Sequence, residues 1–494
     1  MGSIRVAVDV GAGSVKMLAG RFDGRRIVPL WNFEFPDRPL RIGGSLRIDL
    51  YGIFAGIGKG LAALTAEAGP CASIGIDTYG NGYGVLDGKG QLIEVPYHYR
   101  DSRTLGILEK MAALMPSEEL FRKTGIYPVR SRVLMQLYCE AVGNSRAMRE
   151  GATFLPLANL LAYILTGEKA AERTIASVCG LLEVGGGEWN YALMERLSIP
   201  GRLFPRIIDG GSAAGEVRDD GILGALRAPM TVVNVIAHDT ESALMATPLP
   251  DRGTVFASLG TSIIFGTRTE APVVNEAGYA YHFKNVTGAF GANSLCKDFP
   301  GFWILNRCVD SWRRDGVELG PGDFSRLAGE GRGSIAFLDI SDPIFRSDEA
   351  DMVRTITDYC ARTGQPELPS RSEMIRCLFE SMALQVKWSL ECLGKITGES
   401  GWTRLSAMSG GTLNPVLLQM IADATGLDVL AGSPVASSVG NLLAQLYSSG
   451  DLATPAEIRD VASASCDTRL FTSRMDGRWD DALGRMKGIG LFAA

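Results

Sequence analysis

The chain has 494 residues, of which 46% are hydrophobic and 21% charged, and this indicates a soluble globular protein with two or three domains. The net charge of −6 argues against nucleic acid or an anionic membrane as the main partner. We find no secretory signal pattern and no apolar run long enough to cross a membrane. The nine cysteines follow neither a disulfide nor a zinc pattern, so we expect a cytoplasmic protein with reduced cysteines.

Two segments of similar pattern occur about 250 residues apart. The chain opens with RVAVDVGAGSVKMLAGRF, where a strand over 5–10, a Gly-rich turn and a second apolar segment predict a β-hairpin. Residues 253–269, GTVFASLGTSIIFGTRT, repeat this arrangement around Gly260 and Thr261. The repetition predicts two related domains that begin in the same way.

The remaining pattern alternates between strands and helices. We expect helices within 45–69 and 157–167, strands within 73–87 and 231–237, a surface loop at 210–217, a long amphipathic helix over 372–398, and strand–helix–strand through 405–432. The last 45 or so residues keep helical periodicity and should be docked on the protein. The alternation predicts α/β layers, and the prolines and glycine of ATPLPDRG predict a boundary between domains 1–247 and 248–494.

The first candidate ligand-binding turn is DVGAGSVK. Asp9 ends a strand, Gly11 and Gly13 allow a tight turn, and Ser14 and Lys16 add a hydroxyl and a cation. Such a turn can point N–H groups at phosphate oxygens while the carboxylate holds a metal ion or water. An ordinary hairpin turn explains the same residues. Because the turn joins two strands and lacks GxxxxGK[ST], neither a P-loop nor a dinucleotide fold fits it.

Two further glycine motifs lie in the second half. In SLGTS, Gly260 would let the backbone approach a polyanion and Thr261 could donate a hydrogen bond, although another plain hairpin fits equally well. In MSGGTLNPVLLQMIADATG, Gly410 and Gly411 lie between a strand and a helix, with Asn414 at the start of the helix. A flat ligand could lie over these glycines, but a Gly pair at this position is also a common packing feature.

The segment AHDTESA contains one of only three histidines. Asp239 follows a strand and precedes TESALMA, which fits a helix N-cap. It would also be well placed as a general base that takes a proton from a hydroxyl attacking a phosphoryl group, with His238 orienting the substrate. The local sequence leaves both interpretations open.

These motifs together resemble the FGGY family of carbohydrate kinases, within the superfamily of sugar kinases, actin and heat-shock proteins, and in particular its rhamnulokinase branch. The resemblance runs from about residue 4 to about residue 485. Nine segments occur in the order the family has them: VDVGAGSVK, SIGIDTYGNGYGVLD, YHYRDSRT, EELFRKTGIYP, AHDTESA, SLGTS, RCLFESMAL, SGGTLNPVLLQMIADATGLDVLAG and VGNLLAQ.

The resemblance implies an α/β fold with two ribonuclease-H-like (actin-like ATPase) domains flanking a central cleft. It implies ATP- and Mg²⁺-dependent phosphorylation of a sugar hydroxyl, on a ketose such as L-rhamnulose or a related sugar. Asp239 would then be the catalytic base, with His238 and Thr240 beside the sugar. Gly80 and Asn81 would contact the sugar from the first domain.

The resemblance also implies nucleotide and metal sites. Asp9 would hold Mg²⁺ through water, and Thr261 would reach the γ-phosphate. The residues implied in ATP binding are Ala12, Gly13, Ser14, Val15, Lys16, Gly260, Thr261, Asn306, Gly410, Gly411 and Asn414.

Two departures from the rhamnulokinase pattern concern the sugar. Where that branch has D-T-W-G-V-D-F, this chain has DTYGNGY. The segment K-N-x-x-G-L-W-L-L-Q has two partial counterparts, KNVTG and KDFPGFWILN, so Asn285 or Asp298 could occupy the sugar-contacting position. In the second counterpart, Asn306 replaces Gln.

Other functions remain open at this point. A kinase for another polyol or sugar (of the xylulose, fuculose or erythritol type), or for an aldose-derived acid, would fit the departures. A catalytically silent sugar-binding module should have lost Asp239 or Asp9, and both are present. We expect small-molecule partners, sugar and ATP, without nucleic acid or membrane, and a homodimer is compatible with the family.

Overall fold

Two mixed β-sheets of related topology form the framework of the protein. The structure, a computed structural model, describes residues 2–185, 187–218, 221–224, 228–247, 253–333, 335–346, 351–475 and 477–492. The predicted boundary at residue 248 lies outside these described residues.

The first sheet is built from the amino-terminal half. The strands of this half are β1 Ile4–Val10, β2 Ser14–Phe22, β3 Ile27–Pro36, β4 Leu40–Ile42, β5 Ser45–Arg47, β6 Cys71–Thr78, β7 Tyr83–Leu86, β8 Thr153–Pro156, β9 Ala171–Glu172, β10 Ile207–Ile208, β11 Ser212–Glu216 and β12 Thr231–Asn234. The six-stranded sheet has the order β11-β12-β6-β1-β2-β3, and the other strands form two-stranded pairs. Strand β1 runs antiparallel to β2 and parallel to β6.

The second sheet is built from the carboxy-terminal half. Its strands are β13 Thr254–Leu259, β14 Ser262–Thr269, β15 Lys284–Thr287, β16 Asn293–Pro300, β17 Arg404–Met408, β18 Asp428–Ala431 and β19 Arg469–Phe471. They lie in the order β15-β16-β14-β13-β17-β18-β19. The five strands β16-β14-β13-β17-β18 repeat the order and directions of β3-β2-β1-β6-β12. The expected duplication, beginning with a hairpin in each half, is therefore present.

Helices cover both faces of these sheets. The helices of the first half are α1 Leu50–Ala68, α2 Ile107–Leu114, α3 Ser117–Thr124, α4 Val133–Val142, α5 Arg146–Glu150, α6 Leu157–Thr166, α7 Arg173–Val178, α8 Tyr191–Arg196 and α9 Asp239–Met245. Those of the second half are α10 Glu276–Ala280, α11 Phe302–Arg314, α12 Pro321–Glu330, α13 Met352–Arg362, α14 Arg371–Thr397, α15 Pro415–Thr425, α16 Ala436–Ser448, α17 Pro455–Ser465 and α18 Arg478–Gly488. Among the described helices, none combines the length and apolar character needed to cross a bilayer.

Strand β1 is buried on both faces, which explains its nearly continuous apolar sequence IRVAVDV. One face packs on α1, and the other faces α16 from the carboxy-terminal half. Gln445 of α16 donates to the Val6 carbonyl at 2.9 Å and accepts from the Ser73 hydroxyl at 2.6 Å. The buried amide therefore has protein partners, and α16 joins the two halves of the chain.

Most expected elements are present, with two corrections. Residues 210–217 were expected as a loop, but Ser212–Glu216 form the exposed edge strand β11, because Ser, Ala and Gly carry little apolar signal. The helix expected within 45–69 begins only at Leu50, where the Asp49 carboxylate caps the N–H of Gly52. The chain before it pairs as β5.

Candidate active site

Three carboxylates meet at one edge of the first sheet. Asp9 and Asp77 are paired in register near the carboxyl ends of the parallel strands β1 and β6. Thr78 forms a parallel bridge with His238. Asp239, which follows His238, therefore starts α9 at the same edge. The topology thus brings Asp77 together with Asp9, 68 residues before it, and with Asp239, 162 residues after it.

Asp239 is the first residue of α9, and His238 is the N-cap residue, without a side-chain capping bond. The prediction that Asp239 itself is the N-cap is therefore wrong by one position. The carboxylate still serves the first turn, because its Oδ1 accepts from the Thr240 backbone N–H at 2.6 Å and from the Thr240 hydroxyl at 3.2 Å. Thr240 thus contacts the predicted base directly.

The electrostatic environment of Asp239 suits a group that exchanges protons near neutral pH. Its side chain is 30% exposed, so one part of the carboxylate faces open space. Desolvation, followed by the charge of Asp9, raises the pKa of Asp239 to about 7. A carboxyl group with this pKa can accept a proton at physiological pH and release it again.

Asp9 and Asp77 are held by side chains of α16. The Ser437 hydroxyl donates to Asp9 Oδ2 at 2.5 Å, and the Asn441 amide donates to Asp77 Oδ2 at 2.7 Å. Burial raises the pKa of Asp9, although the Ser437 bond opposes it. Burial and the charge of Asp9 raise the pKa of Asp77 well above its usual range. Asp77 Oδ1 is buried without a hydrogen-bond partner, which is consistent with a protonated carboxyl group.

His238 and Gly80 form one wall beside Asp239. His238 Nε2 lies 3.6 Å from Asp239 Oδ1, while the buried Nδ1 has no hydrogen-bond partner. Desolvation, with the charges of Lys284 and Arg132, lowers the pKa of His238 to about 3, so the imidazole is neutral. A Cβ on Gly80 would lie 2.4 Å from Val178 Cγ2 and 3.3 Å from His238 Cδ2, so only glycine fits there.

The two alternative sugar-contacting residues differ in their surroundings. The Asn285 side chain is fully engaged with backbone: it accepts from the N–H of Val273 and donates to the carbonyls of Val273 and Gly125. Asp298 has a 42% exposed side chain and pairs with the buried Lys284 ammonium at 2.5 Å. Although burial opposes it, the charge of Lys284 holds the pKa of Asp298 below its usual range. These contacts favour Asp298 over Asn285 as a ligand contact.

The first glycine turn is closed by its own backbone. The Gly11 N–H donates to the Ser14 carbonyl at 3.0 Å, which leaves Ala12 and Gly13 at the tip. A Cβ on Gly13 would meet no atom within 4 Å, so space is open there. Lys16 lies opposite Asp9 in the hairpin register, whereas Val15 is buried in the core and could offer only its backbone. The Ser14 hydroxyl is bonded to Glu34 at 2.6 Å.

The second glycine turn supports the start of α11. The Gly260 carbonyl accepts from Phe302, and the Thr261 carbonyl accepts from Gly301 and Trp303, at 3.0–3.1 Å. The Thr261 side chain is exposed. On α11, Asn306 is also exposed, about one turn into the helix. Both predicted nucleotide contacts are thus available to a ligand.

The SGG segment after β17 contains a strained residue. Ser409 has φ 72° and ψ −176°, a region that is almost restricted to glycine. Gly410 is open, but a Cβ on Gly411 would lie 2.4 Å from Leu259 Cβ. The close approach to Leu259 explains why residue 411 is a glycine, and Ser409 is held in a strained conformation. Asn414 is buried and accepts from the Ser325 hydroxyl at 3.2 Å.

An ion pair with a buried carboxylate connects α9 with the second sheet. Glu241 of α9 is 1% exposed and accepts from Arg268 Nη1 at 2.9 Å and from the Ser294 hydroxyl at 2.7 Å. Arg268 and Ser294 are register partners on β14 and β16. The arrangement links α9, which begins with Asp239, to β14, which follows the turn with Thr261, and to β16, which contains Asp298.

Several residues of this region were not predicted from the sequence: Asp77, Arg132, Glu241, Arg268, Lys284, Ser437 and Asn441. For Arg132 a signal was available, because a basic residue before the apolar helix VLMQLYCEAV is an unusual N-cap. Asn441 lies in the motif VGNLLAQ and Ser437 lies just before it, but only the packing of α16 on β1 and β6 shows that they reach the carboxylates.

Residues 6–246 match the N-terminal domain of the FGGY family of carbohydrate kinases, and residues 255–449 match its C-terminal domain. The chain belongs to this family. It is 32% identical over 484 residues to a rhamnulokinase of Bacteroides thetaiotaomicron, covering 96% of this chain and 97% of that protein. A rhamnulokinase of Enterococcus faecalis is 27% identical over 468 residues, covering 94% of this chain and 93% of that protein.

Solved structures of FGGY kinases share the fold. A ligand-bound xylulose kinase from Lactobacillus acidophilus superposes with a TM-score of 0.80 at 14% identity, covering 98% of this chain and 97% of that chain. A Plasmodium falciparum glycerol kinase with ADP superposes with a TM-score of 0.75 at 16% identity, covering 99% of this chain and 97% of that chain. The predicted fold of two ribonuclease-H-like domains beside a cleft is confirmed. As a family member, the protein is an ATP-dependent sugar kinase that phosphorylates an alcohol group.

Proposed function

We propose that this kinase phosphorylates a ketose, with L-rhamnulose as the first candidate, and that Asp239 is its catalytic base. The observation that carries the proposal is the partly exposed Asp239 carboxylate, whose pKa is raised to about 7 beside Asp9. The rhamnulokinase names of the relatives support the choice of sugar.

In the proposed mechanism the sugar oxygen attacks the γ-phosphorus of ATP while Asp239 takes the hydroxyl proton, and ADP leaves. Thr240 holds Asp239 in position through its N–H and hydroxyl. Neutral His238 orients the sugar with its free Nδ1, and Gly80, Asn81 and Asp298 line the sugar site. Asn81 Oδ1 is buried without a partner, so it has capacity for a sugar hydroxyl.

For the nucleotide, we propose that the tip of the first turn and Thr261 face the phosphates. The proposed ATP contacts are Ala12, Gly13, Ser14, the Val15 backbone, Lys16, Gly260, Thr261, Asn306, Gly410, Gly411 and Asn414. The open space at Gly13 and Gly410 and the exposed Thr261 and Asn306 side chains support this assignment. Phosphate groups would accept from the backbone N–H groups of the turns.

The residues also fit Mg²⁺ bound mainly through ATP and water. Within the described part of the chain, no group of three His, Cys, Asp or Glu side chains could hold a metal ion. Mg²⁺ typically uses one or two carboxylates together with phosphates and water, and Asp9 supplies such a carboxylate. Bound there, Mg²⁺ would neutralise phosphate charge.

Three broader predictions remain part of this proposal. We place the domain boundary between residues 247 and 248, which the family matches ending at 246 and resuming at 255 support. The nine free cysteines support a cytoplasmic location. A homodimer remains a prediction that light scattering can test.

A coupled assay of ADP release over ketoses, polyols and sugar acids tests the substrate. We expect the highest kcat/KM with L-rhamnulose. A higher value with another sugar would contradict the named substrate but not the kinase activity. If the protein bound a sugar but released no ADP with any tested compound, a catalytically silent sugar-binding module would be favoured instead.

A further inference from the structure

Arg132 is a buried cation beside the proposed sugar site that the mechanism above does not use. Its side chain is 5% exposed, its Nε has no hydrogen-bond partner, and its Nη1 lies 3.5 Å from the Val178 carbonyl, at the limit of a hydrogen bond. No ion pair joins it to a carboxylate within the described residues. A buried guanidinium with unused donors is costly unless something accepts from them.

The position of Arg132 connects it with the wall formed by Gly80 and His238. The Val178 carbonyl faces the guanidinium, and the Val178 side chain packs against Gly80. His238 Cδ2 also lies 3.3 Å from the position that a Cβ on Gly80 would occupy. The charge of Arg132 also lowers the pKa of His238 and of Asp298, as expected for a cation close to both.

The N-terminus of helix α4 adds to the positive electrostatic potential around Arg132. Arg132 is the N-cap residue of the ten-residue helix α4, where a carboxylate or hydroxyl would normally favour the helix. A cation at this end therefore has no benefit for the helix itself. Its stem runs beside Gly180, with Arg132 Cγ 3.5 Å from the position that a Cβ on Gly180 would occupy.

We propose that Arg132 is a specificity-determining residue that donates hydrogen bonds to two neighbouring oxygens of the sugar acceptor. The planar guanidinium offers several N–H donors in a fixed fork, which suits adjacent hydroxyl or carbonyl oxygens. Because Nε lacks a protein partner and Nη1 has only the long bond to Val178, a sugar without the matching oxygen would leave donors unsatisfied, and such sites discriminate strongly. This inference rests on the proposed sugar kinase function.

The test compares Arg132→Met and Arg132→Lys with the control Arg130→Met in the full-length protein. Arg130 lies two residues away and contacts Thr104 and the Asp101 carbonyl instead, at 3.4 and 3.5 Å. We expect Arg132→Met to raise the KM for the sugar about 10- to 100-fold, while the KM for ATP changes less than about twofold. Arg132→Lys should give an intermediate increase, and Arg130→Met should resemble the parent.

A second measurement uses deoxy analogues of the best sugar. In the parent, removing an oxygen bound by Arg132 should lower kcat/KM strongly, whereas in Arg132→Met the same removal should have little further effect. If Arg132 only stabilised the fold, its replacement would not change the effect of removing one particular sugar oxygen. If Arg132→Met fails to fold, Arg132→Lys carries the same comparison.

Unchanged sugar KM in both Arg132 variants, or additive effects for every deoxy analogue, would overturn the assignment of Arg132 while leaving the kinase intact. Failure of the proposed function has a different signature, because the parent itself would then release no ADP with any sugar.

Discussion

Replacing Asp239 with Asn separates the proposed catalytic role of this residue from its cost to stability. The carboxylate is desolvated next to Asp9, and its pKa is raised from 3.8 to about 7. The folded state therefore prefers the protonated form, and this group stabilises the fold at low pH and loses that contribution as the pH rises through 7.

The magnitude follows from this shift. A group whose pKa is 3.8 in the unfolded state and about 7 in the folded state responds to a pH change. When the pH falls from 8 to 5, this group adds about 2–3 kcal/mol to the free energy of unfolding. Asn cannot titrate, yet its Oδ1 can keep the bonds from Thr240. We therefore expect Asp239→Asn to be more stable than the parent at pH 8, with an advantage that decreases by about 2–3 kcal/mol towards pH 5.

Urea unfolding at both pH values measures this difference, and ADP release measures turnover. Loss of the general base should lower kcat by about 10²–10⁴-fold, while calorimetry should still detect binding of sugar and ATP. A stability difference that is the same at pH 5 and pH 8 would refute the electrostatic description. Turnover near that of the parent would refute the assignment of the base.

Three further predictions concern the pH profile, the Glu241–Arg268 ion pair and the SGG segment after β17. In the parent, kcat/KM at pH 6 should be about tenfold below its value at pH 8, because Asp239 must be ionised, and a flat profile would contradict this. Glu241→Ala should lower the free energy of unfolding by about 3–5 kcal/mol in urea titrations by leaving Arg268 unpaired, and a loss below about 1 kcal/mol would argue against a tight pair. Gly411→Ala should lower Tm and raise the KM for ATP, because a Cβ on residue 411 would clash with Leu259. The control Gly410→Ala should keep the parent Tm, because a Cβ there meets no atom. Equal Tm values for the two variants would contradict the predicted clash.

The sequence alone predicted the features that depend on local patterns. The two hairpins, the long helix α14 and the strand–helix–strand segment through β18 follow from apolar periodicity and turn residues, which are encoded over short distances. The motif order indicated the family, which the domain matches confirm. The exposed strand β11 was missed because its small polar residues lack this periodicity.

Only the tertiary structure decided which side chains meet in the cleft. Asp77, Ser437 and Asn441 approach the site because parallel strands end at one edge and α16 crosses from the other half of the chain. The contacts that distinguish Asn285 from Asp298 likewise arise on folding, because Asn285 donates to the Gly125 carbonyl and Asp298 pairs with Lys284 on the neighbouring strand. Long-range packing, which no local pattern encodes, sets these contacts, whereas the resemblance of AHDTESA and its companion motifs to the family already made Asp239 the candidate base.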